Sequence, residues 1–250
     1  MLQKIKNIIV PIIGAFILSG SCSKQNEANL KDDALELMNT YSIQVSEPSG
    51  LAINSEGTNL YTVSDNTNKI YKLSSRGTIL KTYNYEGNDL EGVTTFSNNK
   101  LLVVEERTKE VVEYDMGSGS YIKHKIDYEN TDSNSGLEGI TYNFNDNTIF
   151  ILNEKDPGLL IKLKSDFTIL SKVKLDFASD YSGIFYESAT NNLWIVSDQS
   201  KTINKCNLLG KLIESYPISV IKAEGIAVSN DKIYIVSDAE AKLYIFKKPI

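Results

Sequence analysis

Histidine, arginine and cysteine are nearly missing from this 250-residue chain, which has one His, His124, two Arg, Arg76 and Arg107, and two Cys, Cys22 and Cys206. A Ser/His/Asp device needs an imidazole beside its nucleophile. His124 falls in Ile122-Lys123-His124-Lys125, which reads as an outer strand or its turn, so hydrolysis by that route has no place here. Phosphoryl chemistry needs cationic clamps or several metals, and two arginines in an acidic chain do not supply the clamps. Basic charge is short overall, with 26 Lys and Arg against 32 Asp and Glu and a net charge of −6, which argues against a nucleic-acid partner. No apolar run approaches the roughly 20 residues that span a bilayer.

What the N-terminus does have is an export pattern. Lys4 and Lys6 form a positive region, Ile8 to Leu18 an apolar one, and Ser19-Gly20-Ser21 lead to Cys22. This resembles a bacterial lipoprotein signal over residues 1–21, with Cys22 as the acylated first residue of the mature chain. Losing Lys4 and Lys6 with the signal takes the mature chain to a charge near −8. Residues 22–40 are polar at first and read as a tether. Within them Leu30, Ala34, Leu35 and Met38 suit one face of a short helix starting near Asp32. With Cys22 carrying lipid, Cys206 has no disulfide partner, and no Cys/His arrangement can be assembled around it. The 229 mature residues are long enough to rely on an apolar core instead.

From residue 41 to 250 one signature recurs five times: a small or acidic residue, a Gly, an apolar run, and then a second apolar strand ending on an acid. The glycines are Gly50, Gly92, Gly139, Gly183 and Gly225, spaced 42 to 47 residues apart. That is the period of one four-stranded propeller blade. The second strands, such as Leu101-Leu102-Val103-Val104 and Leu193-Trp194-Ile195-Val196, are apolar at every position, as expected of strands covered on both faces by neighbouring blades. Asn, Asp, Gly and Ser punctuate the connections, for example Asn54-Ser55-Glu56-Gly57 and Asn143 to Asn147. The expected fold is therefore an all-β, five-bladed propeller, with six blades as the alternative count. The last copy stops after its third strand, so Tyr41-Ser42-Ile43-Gln44-Val45 is predicted to pair beside residues 243–247 and close the ring.

Several of these motifs also carry a resemblance. Asp89-Leu90-Glu91-Gly92-Val93, Gly136-Leu137-Glu138-Gly139-Ile140-Thr141-Tyr142, Ile151-Leu152-Asn153-Glu154-Lys155-Asp156-Pro157 and Ala223-Glu224-Gly225-Ile226-Ala227 resemble those of the SdiA-regulated family of bacterial envelope β-propellers. More distantly the chain is similar to lactonase-like and phytase-like propellers. The resemblance implies a propeller in an exported setting and says little about activity.

Two acidic sets are the candidate functional residues. Before the repeat Gly stand Ser49, Glu91, Glu138, Ser182 and Glu224, and in a propeller this position faces one mouth of the central channel. Glu91, Glu138 and Glu224 are thus candidate ligands for a hard cation such as calcium, which takes carboxylate and carbonyl oxygens. Accepting backbone N–H bonds from the next blade is the structural alternative. Asp65, Glu105, Glu154, Asp198 and Asp238 close the second strands at the same mouth and are candidate ligand-binding groups, with turn capping as their alternative; Glu106 adjoins Glu105. The expected function is a lipid-anchored, monomeric envelope propeller whose acidic mouth binds a small molecule or an envelope protein. The competing class is a calcium-dependent esterase or lactonase using Glu91, Glu138 and Glu224 as ligands and Asp198 as base.

Overall fold

The computed structural model describes residues 29–31, 34–97, 99–129 and 135–249. Two short elements come first, β1 (Asn29–Leu30) and β2 (Leu37–Ser42). The first blade is β3 (Pro48–Ile53), β4 (Asn59–Ser64), β5 (Lys69–Ser74) and β6 (Ile79–Thr82). The second is β7 (Leu90–Phe96), β8 (Lys100–Glu105), β9 (Glu110–Asp115) and β10 (Tyr121–Lys125). The third is β11 (Leu137–Asn143), β12 (Thr148–Asn153), β13 (Leu159–Lys164) and β14 (Ile169–Lys174). The fourth is β15 (Gly183–Glu187), β16 (Asn192–Ser197), β17 (Thr202–Cys206) and β18 (Leu212–Pro217), with β1 added in parallel outside β18. The fifth is β19 (Ala223–Val228), β20 (Lys232–Ser237), β21 (Lys242–Lys247) and, from the other end of the chain, β2. The protein is a five-bladed β-propeller.

Burial explains the apolar second strands. In β4, β8, β16 and β20 every residue after the first is buried, and in β12 all six are. Each gap between adjacent blades holds one apolar cluster. Ile43, Leu60 and Val236 fill the gap between blades five and one, and Val63, Leu90 and Val103 the next. Around the ring follow Val104, Leu137 and Ile151, then Leu152, Ile184 and Leu193, and finally Trp194, Ile203 and Ile235. Asn68, Asn99, Asn147 and Asn191 turn the hairpins with positive φ, between 53° and 62°, a region that Asn tolerates better than branched residues do.

The ring is closed as expected, by pairing its two chain ends, but with a different segment. β2 runs over 37–42 and not 41–45, in the register Tyr41↔Leu243 and Ser42↔Lys242. Ile43 and Val45 follow it as buried plugs, 3% and 1% exposed, in the gap between blades five and one. The expected short helix is not formed. Residues 34–36 have no regular structure, Leu37 and Met38 lie in β2, and Leu35 packs on the cluster between blades four and five. The expected signal over residues 1–21, Cys22 and the first part of the expected tether lie outside the described residues.

The repeat glycine has a specific geometric role. Pairing jumps from Pro48↔Ser64 to Leu51↔Thr62, from Leu90↔Glu105 to Val93↔Val103, and from Leu137↔Asn153 to Ile140↔Ile151. In each case the pre-Gly residue and the Gly oppose a single residue, which is a β-bulge; Glu224 is skipped in the same way between Ala223↔Ser237 and Gly225↔Val236. Bulges bend a strand and re-aim a side chain. Here they sit at the entry to the channel, beside the pre-Gly residues.

A candidate ligand and metal site at the acidic mouth

The channel opens at this end into a cavity of 270 Å³. Its inner ring is the pre-Gly set, Ser49, Glu91, Glu138, Ser182 and Glu224; all but Ser182, which precedes the regularly paired β15, sit in bulges of the innermost strands. An outer ring follows directly after the second strands: Asp65, Glu106, Glu154, Asp198 and Asp238. Glu47 and Asp180 add to the acid, against Lys155 and Lys222.

Glu105 does not belong to this set, which corrects the sequence expectation by one residue. It is the last residue of β8 and the counterpart of Ser64, Asn153, Ser197 and Ser237, all fully buried. Those residues tie the mouth loops from below: Ser64 Oγ donates to Ser46 O at 2.6 Å, Ser237 Oγ to Ile221 O at 2.5 Å, and Ser197 Oγ to Asp180. Glu105 does the same work as an acceptor, from Tyr85 Oη at 2.6 Å, Asn88 N at 3.1 Å and Lys123 Nζ at 2.5 Å. Burial alone would raise its pKa, but the Lys123 ammonium and the Tyr85 hydroxyl hold it below the usual range. Glu105→Ala should therefore destabilise the fold by about 2–3 kcal/mol, because Tyr85 and Lys123 lose their partner. Denaturant melts of Glu105→Ala and Glu106→Gln at pH 5 check this, the latter expected to leave stability intact because Glu106, raised to about 7, is already neutral there.

Carboxyls that do line the mouth show the opposite electrostatics. Burial, and then the charges of Glu91 and Glu106, push Glu138 well above the ordinary carboxyl range. Glu91 is also pushed well up by burial, although Ser49 Oγ donates to its Oε2 at 2.5 Å. Burial takes Glu224 up to about 7 against the pull of Lys222, which lies 4.0 Å away. Glu106 is likewise raised to about 7, by burial and then by Asp89, and Asp65 to about 6, by burial and then by Glu47.

Glu91, Glu138 and Glu224 share one cavity, yet the tight group is a different one. Among the described residues, Asp89, Glu91 and Glu106 present carboxylate oxygens within 4.8 Å of one another. Asp89 is held there with φ at 59°, by Asn68 Oδ1 on its N–H at 2.6 Å and by Arg107 Nε on its Oδ2 at 2.8 Å. The sequence reading passed over Asp89 and set Glu106 aside. Aligning the ends of the second strands on Ser64, Asn153, Ser197 and Ser237 would have found Glu106. His124 stacks on Phe167 with ring centres 3.7 Å apart, on the outermost strand of its blade, and the fully buried Cys206 thiol is pushed up to about 12.

A closed five-bladed ring with an acidic bulge ring at one mouth defines the class, an all-β propeller. A family model for the SdiA-regulated proteins matches residues 29–247, and the chain belongs to that family. Solved structures show the same fold at low identity. Glutaminyl cyclase from Myxococcus xanthus is 12% identical over 89% of this chain and 100% of its own, with a TM-score of 0.67. The Xanthomonas campestris gluconolactonase is 10% identical over 89% and 97%, with a TM-score of 0.59. Virginiamycin B lyase from Staphylococcus aureus is 20% identical over 82% and 67%, with a TM-score of 0.52. At such identities these likenesses carry the fold alone.

Proposed function

We propose that this protein is a lipid-anchored envelope propeller that binds calcium in its acidic mouth and uses that mouth to hold a ligand or partner. Glu138 carries the reading. It is only 9% exposed, has no hydrogen bond from any described residue, and faces the carboxylates of Glu91, Glu106 and Glu154. Leaving a buried carboxyl without a donor is costly, and a bound cation removes that cost. Asp65 Oδ1 and Asp238 Oδ1 are buried at the same mouth without a hydrogen-bond partner among the described residues. The donor set is all oxygen, with no imidazole or thiolate, which suits calcium better than zinc. Asp89, Glu91 and Glu106 are the nearest-spaced group to hold it, with Glu138 beside them. The ion would supply fixed positive charge; the residues supply its cage and exclude nucleic acid and other anions from the mouth.

The anchor rests on the signal pattern that ends at Cys22. For the esterase or lactonase alternative, Asp198 is a poor base, because Lys201 Nζ contacts its Oδ1 at 2.5 Å and Ala223 N donates to the same oxygen at 3.3 Å. Calorimetric titration of chelator-treated protein with calcium chloride tests the mouth, with a Kd expected on the order of 10⁻⁴–10⁻³ M. Glu138→Gln should weaken it about tenfold, by removing charge from the cage. Cys22→Ser should move the protein from the membrane fraction to soluble material with its calcium titration unchanged. Absence of calcium binding removes the cation, and a variant still pelleting with membranes after a high-salt wash removes the anchor.

A further inference from the structure

The channel has a second mouth, and its chemistry is the reverse of the first. The two are separated where neighbouring innermost strands touch backbone to backbone, as at Gly50 against Glu91 O and Gly225 against Ser49 O. Past this waist lies a cavity of 640 Å³ to which all five blades contribute, within the usual range for small-molecule sites. The channel-facing residues two positions after the repeat Gly are Ala52, Thr94, Thr141 and Phe185. Phe185 fills one side, packing on the clusters that flank blade five, and the room is left on the side of the two threonines.

Most charge at this mouth is paired. Lys100 is paired with Glu113 at 2.5 Å, and Glu187 with Lys248 and with Trp194 Nε1 at 2.9 Å. Glu56 is exposed to solvent at the rim and accepts from Asn54 Nδ2 at 2.6 Å. An anionic ligand would therefore be desolvated here beside no unpaired cation among the described lining residues, and a cationic one would meet only the solvated carboxylate of Glu56.

Wholly apolar ligands fit no better. Thr94 is 6% exposed and its hydroxyl reaches only Thr95 O, at a distant 3.5 Å. Thr141 is 2% exposed; its Oγ1 accepts from Tyr186 N at 2.9 Å, and its own proton has no acceptor among the described residues. Buried hydroxyls in this state need polar partners. At the rim, the side chains of Thr95, Ser188 and Asn230 also make no hydrogen bond with any described residue.

Between these polar groups stand fixed aromatic faces. Phe96, Tyr142 and Phe144 form an edge-to-face ladder with ring centres 4.7 and 4.8 Å apart. Tyr142 and Tyr186 are pinned through their hydroxyls to Asn147 and Asn191, at 2.7 and 2.9 Å. Phe144, at 55% exposed, ends the ladder at the lip on a hairpin otherwise made of Asn and Asp. An uncharged molecule with an apolar face for the rings and hydroxyls for the threonines and asparagine meets every one of these demands. We propose that this second mouth is a binding site for a neutral saccharide, stacked on Phe144 and hydrogen-bonded to Thr94 and Thr141.

Saturation-transfer NMR on the purified protein with maltose, cellobiose and chitobiose tests this, with benzyl alcohol as a neutral aromatic probe and glucosamine as a cationic one. The expected result is saturation of the ring protons of at least one disaccharide, with binding weakened about tenfold in Phe144→Ala, which removes a stacking face. Thr94→Val should weaken it roughly three- to tenfold by removing one hydrogen bond, and Glu138→Gln at the opposite mouth should leave it unchanged. Melting curves show that the variants are folded, and Phe144, being exposed, is safe on that count. The proposal is overturned if no disaccharide is saturated, or if benzyl alcohol or glucosamine binds at Phe144 in preference to them. Saccharide binding that survives Phe144→Ala but is lost in Glu138→Gln overturns it too, by placing the sugar at the acidic mouth.

Discussion

In the presence of chelator the protein should melt higher at pH 5 than at pH 8, by on the order of 5–10 °C, which is the reverse of the usual preference for neutral pH. The cause is the acidic mouth. Glu106 and Glu224 lie at about 7 in the folded state against an ordinary 4.5, and Asp65 at about 6 against 3.8, while burial also raises Glu91 and Glu138 well above the ordinary carboxyl range. A carboxyl whose folded pKa is raised holds its proton in the native state when the unfolded chain has already released it. Stability from that proton is full below the unfolded value and is lost as pH rises through the folded one, here from about pH 4 to about pH 7. Shared over coupled groups, the loss is on the order of 3 kcal/mol. Glu105 and Glu187 shift the other way, held low by Lys123 and by Lys248 against the effect of burial, so their stabilisation fails only in stronger acid. At the proposed calcium site the ion would take the place of the lost protons. Millimolar calcium should restore several degrees at pH 8 by mass action and much less at pH 5, where protons compete for the same oxygens. Glu138→Gln should flatten the profile in chelator. Differential scanning calorimetry at the two pH values decides it: equal melting points in chelator, or an equal calcium effect at both, would mean that the mouth is not an electrostatically stressed site.

The repeat was legible because propeller physics writes itself into composition. Strands buried on both faces must be apolar at every position, and Leu101 to Val104 or Leu193 to Val196 are so whatever the rest of the blade does. The glycine was legible as a mark but not as a mechanism. A bulge is a property of two strands in register, and only the jump from Leu90↔Glu105 to Val93↔Val103 shows that Glu91 is turned out of the ladder. The same cause lies behind Glu105. Read along one strand, it is the acid that ends an apolar run, like Asp65 or Asp198; read in register, it occupies the place of Ser64 and Ser197 underneath the mouth, and Glu106 is the lining residue.

The closing strand formed as expected but begins four residues earlier, for a different reason. Tyr41 to Val45 has strand-forming side chains, and Leu37-Met38-Asn39 does not, yet pairing with β21 governs an outermost strand whose own residues are almost all exposed. Ile43 and Val45 are apolar because they fill the gap beside it. The second mouth was harder to read, since the position two after the repeat Gly varies from Ala52 to Thr94, Thr141 and Phe185, and Phe144 on the blade-three hairpin has no aromatic counterpart at Asn54 or Ser188.

Gly50→Ala should cost about 3–5 kcal/mol, lowering the melting temperature by roughly 10 °C, although it adds one methyl group to an ordinary strand conformation. A Cβ at this position would lie 2.5 Å from Glu91 O, 2.7 Å from Val93 N and 2.8 Å from the Cα of Gly92. All three are backbone atoms of the neighbouring innermost strand, so no side chain can swing aside. Relief requires blades one and two to part, which opens the cluster of Val63, Leu90 and Val103 between them. Because the ring is closed, that displacement is passed to the other gaps, where a Cβ on Gly183 would lie 2.5 Å from Glu224 O and one on Gly225 2.6 Å from Ser49 O. These contacts also set the spacing of the mouth, since the carbonyls that press on the glycines belong to the pre-Gly residues themselves. Calcium affinity should therefore fall together with stability in Gly50→Ala. Gly57→Ala is the control from the same blade: its added Cβ meets nothing within 4 Å, and only the φ of +69° makes it unfavourable, at about 1 kcal/mol. Urea melts of the two variants at pH 5, where protonation relieves the mouth, separate packing at the waist from carboxylate repulsion. A Gly50→Ala protein no less stable than Gly57→Ala would show that the innermost strands can separate freely, and that the glycine ring does not position the acids.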